Sequence, residues 1–352
     1  MPKSIKRIMS NRIIFIVFSL LVSVGVFASN TSVINADNKE IWYDFDSEAQ
    51  TARVVYKGDS FDSYDNEYCG EIVIPSSVVY NGTEYKVTSI GEKAFSSCGL
   101  TSITLPKSLI LVSLSAFYGC DRLENVVYEG SIADWCNITY LDNYSYPLRY
   151  AKSLYINGKE VVDVVISNEV ETISRGCFAF CEKLKSVVIQ DEVNAIGNVA
   201  FYSCINLESV VIGNGITRIG KRSFTDCVSL TSITIGESVK CIEEQAFYKC
   251  KNVASITCKS VTPPEVEINA FNGIDTTIPI YVPSVSVELY KKSPGWQEFS
   301  NIQSRSTNWL PIVIVVIVLV IVCAFVVTKH TNRRRKSMTI VVYKGPYKPF
   351  NM

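Results

Sequence analysis

A repeat of 23 residues dominates the middle of this chain. In each copy one Phe and one Cys recur at fixed places, with the Cys three residues after the Phe. Four copies in step carry them at Phe178, Phe201, Phe224 and Phe247, and at Cys181, Cys204, Cys227 and Cys250. A repeat this regular predicts a stack of similar structural units, so the function must be sought on the surface of the stack.

Each copy has the features of a solenoid coil of the leucine-rich type, with one short strand backed by a tight helical or 3₁₀ turn. In the second copy Val210 and Ile212 are predicted to point inward from the strand, and Phe201 to fill the back of the coil. Gly197 and Gly220 follow the inward Ile of the next turn, which indicates a backbone turn at that place. The expected fold is therefore a solenoid with short parallel strands, closed by β-rich caps.

The array extends in both directions from the four regular copies. Residues 128–165 break the period and contain Asn157-Gly158 between two apolar runs, which predicts an insertion that ends in a hairpin. The predicted domains are an N-terminal β cap at 29–86, repeats at 87–127, the insertion at 128–165, repeats at 166–283 and a C-terminal cap at 284–308.

Both ends of the array need caps, because an open coil exposes its core and a strand edge. At the front the pattern predicts two hairpins, one beginning at Ile41 and one around Asn81-Gly82. At the back large aromatic residues lie in a polar background, which predicts that 284–308 folds over the last coil. A loose linker is the alternative. These aromatic residues are Tyr290, Trp296 and Phe299.

The two ends of the chain have targeting features. Basic residues followed by an uncharged run from Ile13 to Phe27 predict a secretory signal peptide at 1–28. A second uncharged run, flanked by Trp309 and a basic segment, predicts one transmembrane helix at 309–328. The positive-inside rule then places the repeats outside the plasma membrane and a short tail, 329–352, in the cytoplasm.

Charge is distributed unevenly along the chain. The formal net charge is zero, but the part between signal peptide and tail carries 23 Lys and Arg against 34 Asp and Glu, a net of about −11. This balance argues against nucleic acid and anionic lipid as partners. Ordinary solubility charge is the other interpretation.

Twelve cysteines in an exported chain raise the question of disulfides. Six of them occupy one repeat position, where neighbours are one strand spacing, roughly 5 Å, apart but have parallel side chains that suit a disulfide poorly. Buried free thiols are expected there. Cys69, Cys136 and Cys241 lie outside that column, so any bridge should involve them.

The chain offers little for catalysis. Its only histidine is His330, in the predicted tail, which removes Ser-His-Asp and Cys-His nucleophiles and His-containing zinc sites from the outer part. Cys177 and Cys181 have the spacing of metal ligands, but both occupy core positions of the repeat. We therefore expect no enzyme, no cofactor and no metal site.

Two surfaces remain for contact with other proteins. The outward residues of the strands form flat, uncharged columns, although Ser, Thr and Val also favour tight parallel strands for structural reasons alone. The columns contain Ser186, Ser209, Ser232 and Ser255, beside Val188, Val211, Thr234 and Thr257. The rival surface is the loop at 134–150, whose aromatic residues, Trp135 and Tyr144 among them, are expected to be exposed anchors.

Two kinds of short motif complete the sequence. N-x-S/T sequons begin at Asn30, Asn81, Asn137 and Asn143, and they matter only in a cell that glycosylates in this way. In the tail, Tyr347 to Phe350 matches the tyrosine-x-x-bulky-apolar pattern that endocytic adaptors read in eukaryotic cells. A match of four residues is a weak signal.

The repeats resemble a known family, the BspA-like surface proteins with treponemal-type leucine-rich repeats of the pattern I-G-x-x-A-F-x-x-C-x-x-L-x-x-V-x-I. The likeness covers roughly residues 41–302. Family members are described as adhesins that bind host matrix proteins, plasma proteins or other cells. The resemblance implies a non-catalytic adhesin whose partners are extracellular proteins or cell surfaces. A surface receptor whose tail directs endocytosis or signalling is the alternative.

Overall fold

The computed structural model describes residues 28–35, 37–57 and 68–305. In this part of the chain each coil contributes a long and a short strand to two different sheets. The long strand carries the V-x-I segment, and the short strand carries the inward Ile of the next turn. The strands run parallel from coil to coil, as expected for a solenoid.

The front cap consists of two antiparallel units. Its strands are β1 (Ala28–Ile34), β2 (Glu40–Asp46), β3 (Thr51–Val55), β4 (Cys69–Val73), β5 (Ser77–Tyr80) and β6 (Thr83–Ile90). β1, β2 and β3 form a meander, and β5 and β6 form a hairpin. At the hairpin tip Asn81 and Gly82 have φ values of 48° and 76°, the left-handed pair that a two-residue turn requires. Both predicted hairpins are confirmed.

The first block of coils continues directly from the cap. Its long strands are β7 (Gly99–Leu105), β9 (Asn125–Tyr128) and β11 (Ser153–Ile156), its short strands are β8 (Leu111–Val112) and β10 (Thr139–Tyr140), and β12 (Lys159–Glu160) is an added edge strand. The long strands follow β4 and the short strands follow β6, all in parallel. β12 turns back on β11 at Asn157-Gly158, which confirms the hairpin predicted there.

Residues 128–165 are part of the stack, so their interpretation as an insertion was wrong. β11 pairs with β9 and β10 pairs with β8, as in any other coil. Helix α1 (Ile132–Cys136) and a 3₁₀ turn (Pro147–Arg149) lengthen the coil. The backbone pairing also places Tyr144-Ser145 where the regular coils have Ala-Phe. The period is lost because the coil is longer and lacks its Phe, and we call 128–165 the irregular coil.

The second block contains the regular coils. Its long strands are β13 (Asp163–Ile166), β15 (Ser186–Ile189), β17 (Ser209–Val211), β19 (Ser232–Ile235), β21 (Ser255–Cys258), β23 (Ile280–Val282) and β24 (Ile302–Ser304). Its short strands are β14 (Thr172–Ile173), β16 (Ala195–Ile196), β18 (Arg218–Ile219), β20 (Cys241–Ile242) and β22 (Glu265–Val266). Neighbouring strands pair residue to equivalent residue, so each repeat position becomes a column of stacked side chains.

A stack of phenylalanine rings fills the back of the second block. The ring centroids of Phe178, Phe201, Phe224 and Phe247 are 5.0 to 5.5 Å apart, with ring planes within 6° of parallel. All four side chains are fully buried. Phe271 extends the stack at 5.8 Å. The predicted placement of Phe201 at the back of its coil is confirmed.

The turns of each coil depend on residues with a left-handed backbone, only some of which are glycine. Val199 and Ser203, which flank Phe201 on either side, have φ values of 52° and 54°. Gly197 has no positive φ, but a Cβ there would lie 2.6 Å from the carbonyl oxygen of Ile173 in the preceding coil. The repeat therefore has Gly at this place because two coils approach closely, and the turn predicted there is not the reason.

The rear cap packs over the last coil, as predicted. A 3₁₀ turn at Ser284–Ser286 leads into helix α2 (Val287–Tyr290). Beyond it the buried Trp296 ring lies 5.2 Å from the ring of Phe271, and its Nε1 donates a hydrogen bond to the carbonyl oxygen of Pro264 at 2.9 Å. β24 then pairs with β23. This packing excludes a loose linker for the described part of the cap.

Several predicted segments lie outside the described residues. These are the signal peptide apart from Ala28, the transmembrane helix at 309–328, and the tail at 329–352 with the motif from Tyr347 to Phe350. Within 28–35, 37–57 and 68–305, no helix combines the length and the apolar character needed to cross a bilayer.

Candidate protein-binding surfaces

The outward residues of the long strands in the second block form one continuous surface, which we call the strand face. In each strand, burial alternates, so that every second side chain points away from the core. The parallel register then aligns equivalent residues of successive coils. One column contains Ser186, Ser209, Ser232 and Ser255, and the next contains Val165, Val188, Val211, Thr234, Thr257 and Tyr281. All eight predicted strand-face residues lie together.

Three valines give the strand face an apolar stripe. Val165, Val188 and Val211 are 56%, 39% and 38% exposed, and they stack on neighbouring strands. Sequence reasoning missed Val165 because it lies in the segment interpreted as an insertion. A polar column flanks the stripe, beginning at Asp163, which accepts a hydrogen bond from the Ser186 hydroxyl. The surface can make broad apolar contact along one line and hydrogen bonds along the other.

A second exposed cluster lies where the irregular coil meets its neighbours, and we call it the aromatic row. The Tyr144 ring is 40% exposed and meets the Tyr118 ring edge to face at 5.1 Å. The Arg149 guanidinium lies 5.0 Å from the Tyr144 ring and 5.0 Å from the Phe180 ring, in cation–π geometry. Phe180 in turn meets Tyr202 at 5.4 Å. The row thus joins residues of four successive coils.

Phe180 occupies an unfavourable backbone conformation. Its φ is 65°, in the left-handed region, where a bulky aromatic residue is rare. The equivalent left-handed positions of later coils hold Ser203, Asp226 and Lys249. The contacts of Phe180 with Arg149 and Tyr202 hold the ring in place. No sequence pattern indicated this, because the neighbouring Arg149 lies in the coil where the period is lost.

Trp135 lies in the core, so its prediction as an exposed anchor was wrong. Its side chain is fully buried, and its Nε1 donates a hydrogen bond to the carbonyl oxygen of Cys177 at 2.8 Å. In the regular coils the equivalent carbonyl, such as that of Ala200, accepts the backbone N–H of the Phe one coil earlier, Phe178. The indole replaces that missing donor. The other buried aromatic residues of this coil are Tyr128, Tyr140 and Tyr146.

The cysteines of the repeat column are core residues. None of the 11 described cysteines is joined in a disulfide, and those of the repeat column are buried, as predicted. Burial raises the pKa of Cys181 to about 12, and it also raises the pKa of Cys227. Such thiols stay protonated at neutral pH, when only a thiolate binds metal or attacks an electrophile. In the described ranges no three His, Cys, Asp or Glu side chains are placed to hold a metal ion.

Three of the four sequons fall on described side chains. Asn81, Asn137 and Asn143 are exposed. Asn143 accepts a hydrogen bond from the Arg175 guanidinium at 3.3 Å. The side chain of Asn30 lies outside the described part. Glycosylation at these positions stays a prediction.

The fold and its columns define a leucine-rich-repeat protein, and the repeat itself identifies the family. The family described as BspA type leucine rich repeat region matches six copies, over residues 75–155 and 150–278. The match covers more than half of the chain, which therefore belongs to this family, as its sequence resemblance predicted. The match also runs through the irregular coil, in agreement with its place in the stack.

Solved structures of similar proteins come from several bacteria. A leucine-rich cell surface protein of Faecalibacterium prausnitzii is 18% identical, with 80% of this chain and 96% of that chain covered and a TM-score of 0.38. A leucine-rich-repeat protein of T. pallidum is 20% identical, with 66% and 86% covered and a TM-score of 0.36. The pneumococcal vaccine antigen PcpA is 13% identical, with 79% and 99% covered and a TM-score of 0.30. No curated protein matches this chain.

Proposed function

We propose that this chain is a non-catalytic cell-surface adhesin that binds extracellular proteins or other cells through its strand face. The observation that carries the proposal is the in-register valine stripe of Val165, Val188 and Val211, exposed beside a column of hydroxyl groups. Family membership supports a protein-binding role at the surface, and the relative from F. prausnitzii is itself described as a cell surface protein.

A purely structural reason accounts for only part of the strand face. Ser and Thr at outward positions favour parallel strands and are also soluble, so their presence needs no partner. Valine favours strands as well, but an exposed valine also keeps apolar surface in water, and covering that surface gains about 25 cal/mol per Å². A line of three such residues, rimmed by polar groups, is typical of a contact surface.

The aromatic row is the competing contact surface. Exposed tyrosine rings make strong anchors at interfaces, and Tyr144 and Tyr118 are 40% and 50% exposed. Tyr144 is the part of the original loop prediction that remains available, since Trp135 is buried. The two surfaces share no residue, so substitutions can distinguish them.

Partner chemistry follows from the charge of the outer region. Its net charge of about −11 disfavours nucleic acid and anionic lipid, whose phosphates it would repel. The strand face itself is uncharged apart from Asp163 at one end. Both features favour a protein partner that makes apolar and hydrogen-bonded contact.

The experiment displays the full chain on cells and measures binding of labelled matrix proteins, plasma proteins and intact cells. The proposal predicts saturable binding to one of these classes without chemical change of the bound partner. Cells that display the chain with Arg at Ser209, Val211 and Ser232 are the matched control and should not bind. Absence of binding across all classes, with the chain present at the surface, contradicts adhesion and favours the receptor alternative.

A further inference from the structure

The β ladders are interrupted between the two blocks of coils. The short strands of the first block end at β10 and those of the second begin at β14, with no pairing between them. The long strands are likewise divided between β12 and β13. Two hydrogen bonds across this junction therefore have partners that differ from those in the regular coils, where the N–H equivalent to that of Ser174, such as that of Gly197, donates to the Ile of the preceding short strand. Ser174 N–H donates to the carbonyl oxygen of Cys136 at 3.1 Å, and the Trp135 indole donates to Cys177.

Two cysteines face each other across the same junction. Cys136 ends helix α1 in the first block, and Cys177 precedes Phe178 in the second. Their Sγ atoms are 3.6 Å apart, and the side chains are 0% and 1% exposed. Repeat-column thiols instead point at a backbone carbonyl, as the Cys204 Sγ does at 3.1 Å from the Phe178 oxygen. The pair at the junction thus joins two blocks, whereas each column thiol contacts a carbonyl oxygen within its own block.

We propose that Cys136 and Cys177 form a disulfide in the mature exported protein and so join the two blocks covalently. The sulfur atoms must approach by roughly 1.5 Å to reach the length of a disulfide bond. One residue already belongs to the group outside the repeat column, where the sequence placed any bridge. The proposal depends on export to an oxidising compartment and is independent of which surface binds a partner.

The oxidant is an external disulfide, such as that of a thiol-disulfide oxidoreductase. The thiolate of one cysteine attacks a sulfur of that disulfide, forming a mixed disulfide and releasing the first external thiol. The second cysteine then attacks its partner's sulfur in the mixed disulfide, forming the bond between Cys136 and Cys177. The second external thiol leaves in this step. Two protein thiols lose two electrons and two protons, and one external disulfide becomes two thiols.

Burial determines when this reaction takes place. Burial raises the pKa of Cys177 and closes the pair to a protein oxidant, so oxidation precedes the final docking of the blocks. Once docked, the bridge is shielded from reductants in the same way. A cross-link between residues 41 positions apart also restricts the unfolded irregular coil, which stabilises the folded junction.

The test is a disulfide map of the full chain isolated from cells that make it. Free thiols are alkylated during lysis in denaturant, any N-linked glycan is removed, and the chain is digested with trypsin without reduction. The cysteines lie on tryptic peptides 123–149 and 176–183. The proposal predicts these peptides as one species, lighter by two hydrogen atoms than their sum, that separates on reduction. Both peptides recovered singly and alkylated at Cys136 and Cys177 would overturn it.

Two variants assign the bond and guard against misfolding. Peptide 176–183 also contains Cys181, so Cys181→Ala should leave the cross-link unchanged, and its loss in this variant would overturn the assignment. In Cys136→Ser, Cys177 should be alkylated when the chain is unfolded without reductant. In Cys120→Ser, which changes a repeat-column cysteine, Cys177 should stay blocked by its disulfide. The parent chain reduced in denaturant and refolded with reductant should melt several degrees below the oxidised parent, whereas Cys136→Ser should melt at the same temperature after both treatments. An unchanged parent would contradict the stabilising role.

Discussion

The Cys204 thiol donates a hydrogen bond to the carbonyl oxygen of Phe178, one coil earlier, at 3.1 Å. The same bond joins Cys227 to Phe201 at 3.2 Å. The Phe178 carbonyl oxygen also accepts the backbone N–H of Cys181 at 3.0 Å, so the thiol is its second donor and uses the remaining lone pair. Cys suits the position because it is small and apolar and still has a weak donor. The Phe and the Cys that recur in every regular copy are therefore linked by one hydrogen bond between neighbouring coils.

Removing one ring from the phenylalanine stack should destabilise the second block. Phe201→Ala deletes a fully buried ring between Phe178 and Phe224 and should lower the free energy of unfolding by about 3–5 kcal/mol. Denaturant unfolding followed by circular dichroism measures the change. Tyr202→Ala, at the half-exposed neighbouring position, is the control and should cost clearly less. An equal loss in the free energy of unfolding for both variants would contradict a stabilising role for the phenylalanine stack.

The left-handed residues give a test of the turn. Val199 is β-branched and has a φ of 52°, whereas Val211 lies in strand β17. Glycine at position 199 relieves backbone strain, and glycine at position 211 does not. At both positions glycine raises the conformational entropy of the unfolded chain by a similar amount. Val199→Gly should therefore be less destabilising than Val211→Gly by about 1–2 kcal/mol. The comparison of the two melting curves decides, and a larger loss for Val199→Gly would refute the assigned backbone conformation.

Buried thiols should make the fold sensitive to alkali. Burial raises the pKa of Cys181 to about 12, above the value of about 8.5 for an unfolded thiol. Above about pH 8.5 the thiol ionises in the unfolded chain but stays protonated in the folded one. The contribution of the thiol to stability is therefore complete below about pH 8.5 and is lost as the pH rises towards about 12. The unfolding midpoint should fall between about pH 8.5 and 10, and fall less in Cys181→Ala. Parallel pH profiles for the two proteins would exclude the thiol as a cause.

The tail motif bears on the receptor alternative and lies outside the described residues. If an adaptor reads Tyr347 and Phe350 in separate apolar pockets, Tyr347→Ala alone should raise the surface level of the protein and slow antibody uptake. Total expression should not change. Lys348→Ala, between the anchors, is the matched control and should internalise like the parent. Equal uptake by all three proteins would leave the tail as a basic flank of the predicted membrane segment.

The regular coils could be predicted because the residues that recur every 23 positions are also the residues that are buried. With Phe201 and its equivalents 23 residues apart, each position of one coil specifies that position in all others. The hairpins at Asn81-Gly82 and Asn157-Gly158 were predictable for a similar reason, since few residues adopt those turns. The strand face follows directly from alternation along β15, β17, β19 and β21.

The irregular coil could not be predicted in the same way. Aromatic residues serve equally as anchors and as core, and only the three-dimensional position shows that Trp135 donates to Cys177 while Tyr144 faces outward. Once the period is lost, the register between 128–165 and the next coil is unknown. The pairing of Arg149 with Phe180, and of Cys136 with Cys177, therefore appears only in the structure.

Binding by a chain with a charged strand face tests the central claim most directly. Ser209, Val211 and Ser232 are replaced by Arg together, and the control carries Arg at Thr172, Asn194 and Thr217, exposed positions in or beside the short strands. The account predicts that the first protein loses saturable binding, because three buried like charges cannot be accommodated at an apolar contact, while its melting temperature changes little. The control should bind like the parent. Binding that survives in the strand-face protein but is lost in Tyr144→Ala would contradict the account and assign recognition to the aromatic row.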